Sequence, residues 1–540
     1  MKKKILIAVL LFVLTGCGSD NIDTKKNDAN IEHSDVYNQQ IDLTEKYLEE
    51  IKEDNPTIDN PKIIINPWGF NSLSAYIAFN YSESVSFEYV VRGKTENTDY
   101  TFVSEELSDQ VLMPIVGLYY GSNEVDVKIK DKNNKVIETK NFNIDTTSQE
   151  IPEDFLKADV NISSDNSTEL LDNKIILSAA YSGYDMEGDL RCYTNTSRTQ
   201  YYHYDNNSIY TVDDEKNPYY IYKSDIMGVI KTEYNFPKKL EAHHDFTTDD
   251  KGNFYALATI DDELEGGYQE EGSSQNVETQ CVYWNDKTGK LKGTFDMHSL
   301  FDENPIVASG VEFDPLHINA IEYNKQTNGL LMSSQAQSML FELDADTFEI
   351  NWIIDEPEDV KEYKEKVLSP IGEMIYTSGQ HSITLNTNPK YENYRGDNKF
   401  VISVFNNNVC KNEEGEEYKT DQKSGPFEKR DVCSYADDGK HEYSDSQILV
   451  YGIDLDKFTV ETLDNFELPY YSPIVSNVSS FETNDRYYTV FEGKSSTPTY
   501  LILDENGDII YEMAIPAIEG RKNNYRGKEI SFDRIETTFQ

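Results

Sequence analysis

The sequence predicts an all-β protein, a six-bladed β-propeller preceded by a small N-terminal β-sandwich. Three observations lead there. Between Pro61 and Thr146, five short runs (KIIINPWG, LSAYIAFNY, SVSFEYVVRG, VLMPIVGLY and EVDVKIKD) alternate apolar and polar residues and are separated by Gly, Asn, Asp and Ser turns. That is the pattern of half-buried strands in a sandwich. Beyond residue 165, a strand, an acidic turn and a second strand recur six times: GYDMEGDLRCY, KSDIMGVIKTEY, YWNDKTGKLKGTF, FELDADTFEINWI, YGIDLDKFTVETL and LILDENGDIIYEM. Each copy has the character of the outer hairpin of a propeller blade, at roughly 60 residues per blade. Thirty-eight tyrosines against nine methionines suit half-buried strands.

The N-terminus carries an address. Lys2 to Lys4, an apolar run from Ile5 to Val13 and then Leu14-Thr15-Gly16-Cys17 follow the order of a secretory signal peptide, too short to span a bilayer. The small residues before Cys17 resemble the lipobox of bacterial lipoproteins, which implies lipidation of Cys17 and an extracytoplasmic, membrane-anchored protein. Residues 18–58 are polar and acidic and are expected to form a tether, with a short helix around Leu43 to Ile51. The expected organisation is therefore a signal peptide over 1–17, the tether, a sandwich over 59–148 and a propeller over 149–540.

A formal net charge of −49 over 540 residues excludes nucleic acid and anionic bilayer as binding partners, leaving the lipid as the one membrane contact. It also repels small anions, so any sulfate or phosphate chemistry needs a pocket that overrides the field. Outside the cytoplasm Cys410 and Cys433 are expected to pair and close the polar stretch between them. Pairing of Cys192 with Cys281 is left open, and no cysteine has the spacing of a zinc site. The acidic stretch Asp504-Glu505-Asn506-Gly507-Asp508 places its glycine wrongly for an EF-hand and reads as a hairpin turn. Gly493-Lys494-Ser495 has Tyr488 where a P-loop needs its first glycine, so no nucleotide cradle is visible.

Of eight histidines, four fall in strand-like segments that precede a turn and a further strand: His243 and His244 in AHHDF, His317 in PLHINAIEYN and His381 in GQHSITLN. That is where the innermost strand of a blade belongs, and innermost strands converge on the axis. The four histidines can therefore meet in one central pocket. Strand alternation lets only one of His243 and His244 enter it. His33, His203, His298 and His441 read as surface or hydrogen-bonded residues.

The segments LHINAIEYN and LLMSSQAQS, with HHDF and the QH of GQHSITLN, resemble blocks of the bacterial aryl-sulfate sulfotransferases. NPWGFNSLSAYIAF and IVGLY are similar to that family's N-terminal sandwich. The resemblance implies transfer of a sulfuryl group from an aryl sulfate donor to a phenolic acceptor, without nucleotide, cofactor or metal, by a ping-pong cycle through a sulfated His381. It implies that His317 and Asn319 donate hydrogen bonds to the sulfuryl oxygens and that His243 or His244 is the acid and base. Ser334, Gln335 and Ser479 are further candidate substrate contacts. One departure stands out: where the family carries the arginine of a Ser-Ser-Arg strand, this chain reads Ser333-Ser334-Gln335. Arg395 and Arg198 are candidates to supply that charge; weaker sulfate binding or a different substrate are the other outcomes.

Two other classes stay open. A non-catalytic, surface-anchored propeller would bind a glycan, peptide or protein at its central mouth. A metal-dependent hydrolase or lyase would use His243, His317 and His381 as ligands. The oligomeric state is open too, with a homodimer compatible.

Overall fold

The computed structural model describes residues 33–163, 169–178, 182–194, 203–205, 208–213, 219–237, 240–260, 278–301, 316–355, 361–409, 420–424, 427–432, 445–480, 487–493, 497–516 and 526–531. The signal peptide, Cys17, Arg198, Cys410, Cys433 and His441 lie outside the described residues. The expected lipidation and loop disulfide therefore concern segments beyond this description.

The protein is a six-bladed β-propeller with a small N-terminal β domain. The described strands form six antiparallel blade sheets, and the innermost strands, in ring order, are His203–Asp205, Leu240–Thr248, Ile318–Asn324, His381–Leu385, Asn477–Ser480 and Gly527–Ser531. Innermost strands of successive blades touch one another from the first blade to the fifth, which places them around the axis. All six sequence repeats form third and fourth strands, as Met339–Asp344 and Ile350–Ile354 do in the third blade. The sixth blade closes the ring. Its innermost strand, Gly527–Ser531, pairs with Lys174–Ser178, the first strand of its partner hairpins from the other end of the chain. Asp159–Ile162 adds a fifth strand outside Ile509–Ala514 of the fifth blade.

The acidic turns have a physical cause. In the 504–508 turn, Asp504 Oδ1 accepts the backbone N–H groups of Asn506 and Asp508 at 2.8 and 3.0 Å, and Gly507 sits at φ 89°. Asp185 accepts from Glu187 and Asp189 in the same way, Asp225 from Met227 and Val229, and Asp249 from Lys251 and Asn253. A carboxylate that accepts amide protons two and four residues on makes a tight hairpin turn. Much of the repeat's acidity is turn chemistry of this kind.

In the N-terminal domain Ala75–Val91 and Tyr100–Ile115 are long paired strands whose register breaks between Asn80 and Phe87. One half of Ala75–Val91 pairs with Lys62–Ile65 and the other with Ser122–Lys130. The side chains of both halves share one buried cluster with the sixth blade. Arg191 of that blade is the polar pin between the two units. Fully buried, it donates to the carbonyls of Gly117 and Thr98 at 2.7 and 2.9 Å, meets Asp185 at 3.0 Å, and lies between the rings of Tyr100 and Tyr119 at 4.1 and 3.9 Å.

The tether expectation needs correction. Residues Asp35–Asp54 form one helix of 20 residues, capped by Ser34 and more than twice as long as expected. It docks largely through polar groups, which composition does not reveal. The Gln40 amide bonds both backbone groups of Ile230 on an outer blade edge, His33 meets Glu233 at 2.6 Å, and the Tyr47 hydroxyl donates to the Pro67 carbonyl at 2.7 Å. No helix among the described residues is long and apolar enough to cross a membrane. Cys192 and Cys281 are not paired with each other; both are free and buried in different blades, where burial pushes their thiols up to about 12.

Arg191→Ala leaves Asp185 buried without its cation and removes the pin between the units. The expected outcome is a loss of about 3–5 kcal/mol of unfolding free energy in this region, read from denaturant titration, with earlier proteolysis in the 148–157 connection.

Candidate active site

The site lies where innermost strands begin. Three of them break register there: between Ala242 and Phe246, between Ile318 and Ala320, and between His381 and Ile383. Left-handed backbone accompanies the breaks, at His244 (φ 54°), His317 (φ 45°) and Ser382 (φ 61°), and again at Val475 and Ser476 on the fifth blade. Such conformations cost about 1–3 kcal/mol each for residues other than glycine and cluster where function needs a side chain re-aimed.

Here the breaks bring four imidazoles together. Ring centroids of His243 and His244 are 3.6 Å apart, those of His244 and His317 5.0 Å, and those of His244 and His381 6.3 Å. At their centre is Glu278, which sequence reading missed. Its carboxylate meets His243 Nε2 at 2.7 Å, His244 Nε2 at 2.8 Å and His317 Nδ1 at 3.1 Å. Burial pushes the Glu278 carboxyl up, but the three facing imidazoles outweigh burial and hold it well below the usual range. Glu278 stands just before Gln280–Asn285, so no nearby motif marked it.

Both adjacent histidines face the same carboxylate, contrary to the expectation that one would point away. The bulge between Ala242 and Phe246 and the left-handed φ of His244 suspend strand alternation. His244 is nearly buried, and burial, then His243, holds its pKa well below 6.5, so it is neutral. The His317 side chain is 31% exposed, the most accessible of the group, and opens the cluster to solvent.

His381 is held differently. Its Nδ1 lies 2.8 Å from Asn407 Oδ1, while the Asn407 amide nitrogen donates to the carbonyls of Ser472 and Val475 at 2.7 and 3.2 Å. Those two donations fix which way the amide faces. Its oxygen must accept from His381, so Nδ1 carries the proton and Nε2 carries the lone pair. Burial lowers the His381 pKa to about 3, leaving the ring neutral.

The remaining expectations fare unevenly. Asn319 is fully buried and donates across to the next blade, to the carbonyl of Gln380 directly before His381, at 2.8 Å. Gln380 in turn donates to Ser333, Ser334 and Met339, so this network orients the residue before His381. Ser334 bonds the Leu316 carbonyl at 2.5 Å and holds the backbone before His317. Gln335 stands in the turn after Gly329–Ser334, its amide nitrogen beside Gly379 and its backbone N–H on the His317 carbonyl at 3.0 Å. Ser479 bonds Thr489 at 2.7 Å and takes no part in the cluster. Arg395 donates to the Thr387 carbonyl, beyond the far end of the strand that His381 begins. Among the described residues, a cation that does stand near is Arg526, which meets Asp245 at 2.8 Å and acts on His381.

His243, His244 and Glu278 offer ligand atoms within 4.8 Å of one another and could hold a metal ion. His381, committed to Asn407 through Nδ1, stands outside that set.

No curated protein sequence matches the chain. Among solved structures the chain is similar to TolB from Acinetobacter baumannii (11% identity, 75% of this chain and 78% of that one, TM-score 0.34). It is also similar to the quinohemoprotein alcohol dehydrogenase from Comamonas testosteroni (11%, 76% and 66%, TM-score 0.32). Likenesses this weak carry nothing about chemistry. The family models are specific: residues 62–147 match the arylsulfotransferase Ig-like domain, and residues 157–494, the span that carries Glu278, Asn407 and all four clustered histidines, match arylsulfotransferase (ASST). The chain belongs to the arylsulfotransferase family.

Proposed function

We propose that this protein transfers a sulfuryl group from an aryl sulfate to a phenolic acceptor in a ping-pong cycle through N-sulfohistidine at His381. Family membership supports aryl sulfate sulfotransferase activity in general. The observation that carries the finer reading is the His381–Asn407 pair, which assigns the proton of a neutral imidazole to Nδ1 and makes Nε2 its basic nitrogen.

In the first half-reaction the Nε2 lone pair forms an N–S bond as the S–O(aryl) bond breaks, and the electrons leave on the phenolate. Phenol, with a pKa near about 10, is a tolerable leaving group. Asn407 keeps accepting the Nδ1 proton while the ring becomes cationic. His317, bound through Nδ1 to the Glu278 carboxylate and the most exposed imidazole of the cluster, gives the leaving oxygen a proton from Nε2. His243 and His244, equally bound to Glu278 through one nitrogen, are less suited because both are more buried than His317. In the second half-reaction the acceptor phenol returns a proton to His317 as its oxygen attacks sulfur, and the N–S electron pair goes back to His381. The Leu14-Thr15-Gly16-Cys17 segment supports lipid anchoring at Cys17, with the enzyme facing out of the cytoplasm.

Incubation with p-nitrophenyl sulfate and a phenol is expected to release nitrophenolate and, without acceptor, to leave a sulfated peptide containing His381. His381→Ala should lose more than about a thousandfold in turnover, as removal of a covalent nucleophile does; undiminished turnover would sink the mechanism. Cys17→Ser should move the protein from the membrane to the soluble fraction, and unchanged fractionation would exclude the anchor.

The pH dependence follows from the lowered pKa. Folded His381 binds its proton near pH 3, against 6.5 unperturbed. Between these values unfolding takes up a proton, so the native state loses stability as pH falls. His381→Ala lacks this contribution. Its stability relative to the wild type should improve on acidification below pH 6.5, by up to about 1.4 kcal/mol per pH unit, read from denaturation midpoints.

A further inference from the structure

We infer that Arg526 binds the sulfuryl oxygens and supplies the positive charge that Gln335 does not. This rests on the sulfuryl-transfer reading and adds to it a residue beyond the matched family segment, which ends at 494.

The argument is topological first. Arg526 immediately precedes Gly527–Ser531, the innermost strand of the ring-closing blade. His317 immediately precedes the innermost strand of the third blade, and Ser476 that of the fifth. Arg526 therefore occupies on the sixth blade the position from which other blades project side chains to the axis. In a ring of six, the sixth blade stands opposite the third and two removed from the second and fourth. Yet Arg526 Nη2 reaches Asp245 Oδ2 on the second blade at 2.8 Å, and Asp245 directly follows His244. The same guanidinium is close enough to His381, on the fourth blade, to help disfavour its protonation. A side chain that interacts with blades on both sides of its own lies near the axis, among the imidazoles.

Electrostatics gives the position its meaning. A protein of net charge −49 repels an aryl sulfate, and glutamine at 335 adds no charge to counter that. Arg526 is largely enclosed, with 15% of its side chain exposed. Asp245 is itself fixed by the Ile321 backbone N–H at 3.0 Å, so the ion pair holds the guanidinium in place before substrate arrives. A guanidinium has five N–H donors in a planar fork suited to oxyanions, and the contact with Asp245 is made through Nη2.

The competing possibility is that Arg526 serves only as the structural partner of Asp245. Three variants separate the two: Arg526→Gln, Arg526→Lys, and the double variant Asp245→Asn/Arg526→Gln, which removes both charges and restores a neutral hydrogen-bonding pair. Each is tested by calorimetric titration with inorganic sulfate at constant ionic strength and by kcat and KM for p-nitrophenyl sulfate. Arg526→Gln should weaken sulfate binding and lower kcat/KM about ten- to a hundredfold, mostly through KM. Arg526→Lys should fall between. The double variant should recover thermal stability but neither sulfate affinity nor kcat/KM. Recovery of both to within about threefold of wild type overturns the inference, and so does unchanged sulfate binding in Arg526→Lys if the other two variants fail to fold. Arg526-dependent sulfate binding in a wild type that turns over no aryl sulfate would refute the sulfuryl-transfer reading and leave the anion site standing.

Discussion

The Glu278 carboxylate decides what the centre of this protein can do. Three imidazoles from two blades converge on it, and its negative charge is the reason they can be packed so closely. Without it, rings at 3.6 and 5.0 Å centroid separation could share a proton only at the cost of mutual repulsion. With it, the cluster can hold one positive charge, while burial and the neighbouring imidazole of His243 keep His244 neutral against the pull of the carboxylate. The fourth imidazole, His381, faces an uncharged partner, Asn407, instead of this carboxylate. The cluster therefore divides into three imidazoles that face a carboxylate and one that faces an amide.

Much of the architecture was legible in the sequence because the same short pattern recurs. Each outer hairpin repeats its strand, acidic turn and strand, and the acid is required by the geometry of the turn, as at Asp185 and Asp504. The grouping of His243, His244, His317 and His381 was legible for a related reason, since innermost strands converge. Details that depend on a broken pattern were not. Alternation misassigned His243 and His244 because a bulge suspends it. Glu278, Asn407 and Arg526 carry no local signature: each is an ordinary polar residue next to a strand, and only the fold brings it to the axis.

Buried polar contacts of another kind hold the N-terminal region in place. Arg191 enters the Ig-like domain from the sixth blade, and the Gln40 amide completes an open blade edge at Ile230. Both are cases where the backbone groups of one unit are satisfied by a side chain of another, a specificity that apolar contact alone would not provide. Composition analysis is blind to it, which is why a polar segment that looked like a tether proves to be a docked helix.

Ring closure by Gly527–Ser531 against Lys174–Ser178 has a consequence for the order in which the molecule assembles. Contacts this distant in sequence form late and slowly, because the intervening chain must first be organised. Five blades can collapse as the polypeptide emerges, but the ring stays open until the last innermost strand arrives, and Arg526 arrives with it. The blades that carry the histidine cluster precede this last strand in the chain, whereas the closed ring requires it.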